Sequence, residues 1–128
     1  MIRATGTFDV KMGPLEAYVK DDKSIGHFSI DKQFHGALQG TSKGEMLSAG
    51  SAAGSGGYVA IEKVSGTLDG RAGTFVLQHD ATMDNGTPRL SITVVPGTGA
   101  GALAGITGRL DIIIEGGKHS YVFEYTLP

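Results

Sequence analysis

The sequence predicts an all-β fold, a closed antiparallel β-barrel of about eight strands joined as a meander. Three observations support this. Asp69-Gly70, Asn85-Gly86 and Gly116-Gly117 are tight-turn dipeptides, each set between runs that alternate apolar and polar side chains. Such alternation is the period of a strand with one buried face. The composition is rich in Gly (21) and poor in Pro (4), which suits short strands and turns, because Gly weakens a helix interior by about 1 kcal/mol relative to Ala. A large sheet with one apolar face must close on itself or find a second layer, and closure also removes exposed edges.

From the N-terminus, residues 4–12 set Gly6, Phe8, Val10 and Met12 against Thr5, Thr7, Asp9 and Lys11, giving a first strand. After Gly13-Pro14, Leu15 to Tyr18 reads as a short turn of helix and Lys20-Asp21-Asp22-Lys23 as a surface connection. Ser24 to Ser48 is a long extended stretch carrying Phe28, Ile30, Phe34 and Leu38, interrupted by Gly26, Gly36, Gly40 and Gly44. Glycines inside strands mark bulges or bends. A bulge is therefore expected here, and it breaks the parity that otherwise places Lys32 beside Ile30 and Phe34. Residues 49–57, from Ala49 to Gly57, carry too little apolar bulk to pack and read as a loop, either a solvated connection or a lid over a barrel mouth.

The hairpins set the rest of the pairing. Both central residues of a type I′ turn need positive φ, which Asp-Gly and Asn-Gly supply. With Leu68 paired to Arg71, Val64 lies opposite Phe75, Glu62 opposite Leu77 and Ala60 opposite His79. With Met83 paired to Pro88, Ala81 meets Leu90, His79 meets Ile92 and Leu77 meets Val94. The two hairpins agree on one inside face and leave Lys63, Gln78, Asp80, Arg89, Ser91 and Thr93 outside. The third hairpin pairs Ile114 with His119, Ile112 with Tyr121 and Leu110 with Phe123, and sets Arg109 against Glu124 as an exposed ion pair. Pro96 to Ala102 is a Gly-rich turn of a different kind.

A single domain over residues 1–128 is long enough for one core. With 11 Lys+Arg against 13 Asp+Glu and a net charge of −2, the chain offers no basic surface to nucleic acid or to an acidic membrane. It has no Cys, which removes disulfides, thiol nucleophiles and thiolate metal sites together. The N-terminus runs straight into strand alternation and no segment approaches the ~20 apolar residues of a membrane span, so a soluble, cytoplasmic protein is expected. His27, His35, His79 and His119 show no ligand-like spacing. The glycine runs at 54–57 and 97–101 lack the Lys-Ser/Thr of a phosphate loop, and Ser55 lacks a strand-to-helix nucleophile elbow. No metal and no cofactor is expected.

The runs Phe34-His35-Gly36, Thr41 to Ser48, Gly57 to Glu62, Gly66 to His79, Val94 to Gly97 and Gly117 to Tyr121 resemble a bacterial family of small proteins of unknown function, over nearly the whole chain. That family's barrel looks like that of plant allene oxide cyclases and is more distantly similar to dirigent proteins. The resemblance implies an eight-stranded, allene oxide cyclase-like barrel with a ligand-sized interior, and it implies no reaction. Ala37 and Ala102 depart from the pattern, which tends to be acidic there; the change is either drift or the mark of a reshaped pocket.

The chemical clue is on the inside face, where Glu62 and His79 fall on neighbouring strands as diagonal partners. Burial raises a carboxyl pKa and an imidazolium lowers it, so the pair is expected to hold a base near neutral pH. Alternatively the two satisfy one another, or Tyr58, in a structural network. Phe75, Leu77, Ile92, Val94, Ile112 and Phe123 are the expected apolar wall, and Tyr58, Tyr121 and Tyr125 the hydrogen-bond donors or rim residues. The function expected is binding of a small hydrophobic, carbonyl-bearing molecule, with isomerase or cyclase chemistry and Glu62 and His79 as catalytic residues. A non-catalytic carrier or oligomeric barrel, and an engineered catalyst abstracting a proton with a cavity carboxylate, are the alternatives. A homo-oligomer is expected, with neither nucleic acid nor membrane as partner.

Overall fold

The computed structural model describes residues 1–51 and 54–128, the side chain of Ser51 excepted. The strands are β1 (Ile2–Pro14), β2 (Ile25–Gly36), β3 (Leu38–Ser51), β4 (Ser55–Leu68), β5 (Arg71–Asp84), β6 (Thr87–Val94), β7 (Ala100–Gly101), β8 (Thr107–Glu115) and β9 (Lys118–Thr126). All pairings are antiparallel. Eight strands close a ring in the order β1-β2-β3-β4-β5-β6-β8-β9 and back to β1, with β7 a two-residue strand on the edge of β5. No helix forms among the described residues, so the helical turn expected at Leu15 to Tyr18 is absent. Nor is any helix there long and apolar enough to cross a membrane.

The three turns behave as the dipeptides require. Asp69 and Gly70 have φ of 49° and 83°, Asn85 and Gly86 48° and 86°, and Gly116 and Gly117 57° and 79°. Every register read outward from them is observed, including Glu62 opposite Leu77, His79 opposite Ala60 and Ile92, and Ile112 opposite Tyr121. Arg109 does sit across from Glu124, but its guanidinium bonds Asp111 at 3.5 Å instead. The geometry is an exposed one worth little to stability.

Two further expectations fail in the first half. Pairing runs without interruption from Gly6↔Gly36 to Pro14↔Phe28 and from Ile25↔Ala49 to Phe34↔Gly40, so there is no bulge and Lys32 points inward between Ile30 and Phe34. The segment expected as a loop is mostly ladder: Ala49, Gly50 and Ser51 pair with Gly57, Gly56 and Ser55. Small residues lose nothing in the backbone ladder, and pairing satisfies N–H and C=O groups whatever the side chain. Ala52 and Ala53, also part of that expected loop, lie outside the described residues.

The barrel has a sealed foot, at the Asp69-Gly70 end, and a mouth, at the Asn85-Gly86 and Gly116-Gly117 end. Phe34, Leu38, Val64, Leu68, Phe75, Leu77, Ile92, Leu110, Tyr121, Phe123 and Tyr125 fill the foot, with Leu103 and Ile106 added from the β7–β8 connection. Phe75 stacks on Phe123 with ring centroids 5.6 Å apart. The outer wall is less polar than expected: Leu47, Val59 and Ile61 stand about half exposed on β3 and β4.

One inward row explains how the wall admits long polar side chains. On β3 it reads Gly40, Ser42, Gly44, with Ser42 between Lys32 and Val64 and Gly44 beside Glu62. A Cβ added at Gly44 meets the Ile61 carbonyl oxygen at 2.1 Å and the Glu62 Cα at 2.6 Å, both backbone atoms that cannot swing away. Gly44→Ala is expected to cost about 2 kcal/mol or more in urea denaturation. Gly50→Ala, with nothing among the described residues within 4 Å of the added atom, is expected to stay within about 0.5 kcal/mol of the parent.

Candidate functional site

At mid-barrel the inward parity of four adjacent strands brings Lys32 (β2), Ser42 (β3), Glu62 (β4) and His79 (β5) together, and all four are buried. The carboxylate is the hub. Oε2 accepts from Lys32 Nζ at 2.8 Å and from His79 Nε2 in a short contact, and Oε1 accepts from the Ser42 hydroxyl at 2.7 Å. The Lys32 ammonium also lies over the rings of Phe8 and Phe34, 5.0 and 5.9 Å from their centroids, an arrangement that offsets part of its desolvation. Behind His79, Nδ1 is 3.3 Å from the Tyr58 hydroxyl. The chain of contacts therefore runs Lys32–Glu62–His79–Tyr58 from the core towards the mouth.

Electrostatics settle the state of the carboxylate. Burial pushes the Glu62 carboxyl up, but the hydrogen bond from His79 and the charge of Lys32 outweigh it and hold the group at about 2. The base near neutral pH expected of Glu62 is thus corrected: the His79 hydrogen bond first, and then the charge of Lys32, which the pairwise reading does not include, make the carboxylate a weak proton acceptor. Burial, and then the Glu62 charge, push the Tyr58 hydroxyl up, so it stays protonated.

Above this chain lies a cavity of about 540 Å³ at the mouth, lined by Met46, Ser48, Tyr58, Ala81, Met83, Pro88, Leu90 and Ile114 among others. It opens where the ring is weakest, since β6 and β8 share one registered pair, Thr93↔Arg109, and Leu90 and Ile114 come from the parts of β6 and β8 that do not pair with each other. Of the expected substrate-binding residues, Tyr58 alone lines it. Phe75, Leu77, Ile92, Tyr121, Phe123 and Tyr125 do face inward, but at 2 % exposure or less they pack on one another in the foot. Ile112 is half-buried against that core.

The other tyrosine hydroxyls are spent on structure. Tyr121 accepts from the Leu38 amide at 2.9 Å and shares its proton between the carbonyls of His35 and Leu38, at 2.9 and 3.2 Å, clamping the β2–β3 turn where Gly36 has a φ of 102°. Tyr125 donates to Asp69, and burial with that bond pushes its hydroxyl up to about 12. His119 lies against Phe8, with ring centroids 5.2 Å apart. His27 bridges Glu45 and the Glu16 carbonyl, and His35 meets Asp9, all outside the barrel.

The family model described as "Protein of unknown function (DUF3224)" matches residues 4–125. The chain belongs to that family. A crystal structure of a family member of unknown function from Shewanella oneidensis MR-1 is 48% identical, aligned over 100% of this chain and 98% of that one with a TM-score of 0.95. No curated protein matches. DUF3224 carries no assigned activity, and the bacterial barrel family expected from the sequence is this one.

The buried hub makes a signed prediction. Because the folded carboxyl of Glu62 lies at about 2 and its ordinary value is 4.5, its contribution is complete above the ordinary value and is lost as pH falls through the interval, a change of about 3 kcal/mol. Lys32→Met is expected to cost about 3–5 kcal/mol near neutral pH, by stranding a buried charge, and the penalty should shrink on acidification. Urea denaturation of both proteins across pH checks this; a penalty independent of pH contradicts it.

Proposed function

We propose that this DUF3224 protein binds an apolar, carbonyl-bearing small molecule in the mouth cavity and acts on it as an isomerase or cyclase. Tyr58 meets the ligand oxygen, and His79 exchanges a proton through it. The observation that carries the reading is an apolar cavity of about 540 Å³ whose half-buried tyrosine is backed by a buried His79–Glu62–Lys32 chain. That volume suits one small ligand, and Met46, Met83, Leu90 and Ile114 suit a greasy one that the walls can orient. Glu62 becomes a positioning residue: it fixes the imidazole and its tautomer, as carboxylates do behind catalytic histidines. Ring closure or double-bond migration is proposed as the reaction type by analogy of fold alone, from the resemblance of the family's barrel to that of allene oxide cyclases.

A carrier is favoured by a separate observation. Every buried side-chain nitrogen and oxygen among the described residues has a partner, which is what a purely structural network requires. Nonan-2-one separates the two readings. It is expected to bind, measured calorimetrically at mildly acidic pH, and Ala81→Trp should abolish binding by filling the mouth. Tyr58→Phe should weaken it about 5–10-fold, the worth of one hydrogen bond. An enzyme should speed exchange of the ketone's α-protons with deuterium oxide and lose this in His79→Gln. Binding without exchange identifies a carrier, and binding that Ala81→Trp leaves unchanged removes the mouth as the site.

A further inference from the structure

The hydrogen-bond sense of the buried chain restricts what Tyr58 can offer a ligand. Glu62 accepts from Lys32, Ser42 and His79, and an ionised carboxylate has no proton to give, so Nε2 of His79 carries hydrogen. In the neutral ring Nδ1 is then a lone pair. The Tyr58 hydroxyl, 3.3 Å away, spends its proton there and shows the cavity only oxygen lone pairs. A proton added to Nδ1 reverses the contact. The ring now donates to Tyr58, and the Tyr58 O–H is free to turn towards the cavity.

Charge decides when that reversal happens. The Glu62 charge already has Lys32 at 2.8 Å as a partner, so a proton on His79 adds a positive charge beneath the apolar cavity for an anion to meet. An anion on Tyr58 cancels it. Of the remaining groups, β6 places Ile92 opposite His79 and brings Arg89 to the cavity rim, while the groove that His79 also lines holds Asp80 and the paired His27 and Glu45. Arg89 adds to the preference for an anion.

We propose that the ligand class of the mouth is a weak oxygen acid, meaning a phenol, an enol or a carbonyl compound that enolises, held as its anion against Tyr58 while His79 takes up the proton. The inference rests on the mouth being the ligand site. The proton balance closes within the site: the ligand O–H bond breaks, its proton goes to the Tyr58 oxygen, and the proton of Tyr58 passes to Nδ1 of His79. A ketone brings no such proton and depends on solution to supply it, so the enol form is the better ligand. An α-proton taken during enolisation follows the same route.

4-Nitrophenol tests this, because its phenolate is yellow and its phenol colourless. At a pH where the free probe is nine-tenths protonated, titration with the protein is expected to turn it yellow. The bound probe should ionise about tenfold more readily than the free one. Tyr58→Phe, which keeps the ring and its packing, and His79→Gln should both still bind the probe in the apolar cavity but leave it colourless. Bound probe that is colourless in the parent overturns the proton coupling and leaves the mouth as a binding site. Probe that is yellow in all three proteins also overturns it, assigning the effect to Arg89. Absence of saturable binding overturns both the coupling and the ligand site.

Discussion

The ionised carboxylate of Glu62, fully buried and held by three donors, is the constraint on which the rest of this barrel depends. A charge in an apolar interior is tolerated only when it is paired and its lone pairs are satisfied. Here the partners come from strands on both sides, Lys32 and Ser42 from β2 and β3 and His79 from β5. The network thus ties together four consecutive strands, and it works only in one register, since a slip of one residue turns each of these side chains to water. The inward run Gly40, Ser42, Gly44 belongs to the same solution, because only small residues there let Lys32 and Glu62 meet across β3.

The network also divides the interior. Towards the foot, stacked aromatics and aliphatics exclude solvent, and Tyr121 and Tyr125 use their hydroxyls to clamp the turns at Gly36 and Asp69. Towards the mouth the lining changes to Met46, Ala81, Met83, Leu90 and Ile114 around open space. His79 and Tyr58 sit at the boundary, one inside and one half-exposed. Tyr58 is thus the side chain through which the buried network meets the cavity.

The second half of the chain was legible because its turns were. Positive φ at Asp69-Gly70, Asn85-Gly86 and Gly116-Gly117 pins the register, and parity then carries Glu62 and His79 inside without further information. The first half lacks such markers. Gly36 does mark a bend, the β2–β3 turn, but Gly26, Gly40 and Gly44 are inward positions of unbroken strands, and reading them as bulges hid Lys32 and its part in the charge state of Glu62. The small inward row on β3 was the available signal, but it has meaning only once the neighbouring strands are known. The apolar wall failed for another reason. Parity tells inside from outside but not foot from mouth, so Phe75, Leu77 and Phe123 look like ligand contacts until their depth along the barrel is known.

Every step of the functional account requires Glu62 to be ionised and to act as an acceptor only. The most direct measurement is the side-chain carboxyl carbon resonance of Glu62 in protein carrying carbon-13 glutamate, followed through an acid titration. The account predicts a carboxylate shift that persists until the pH approaches about 2. A midpoint near neutrality would contradict it, returning Glu62 to the role of a proton-accepting base and removing the reason for His79 to hold hydrogen on Nε2.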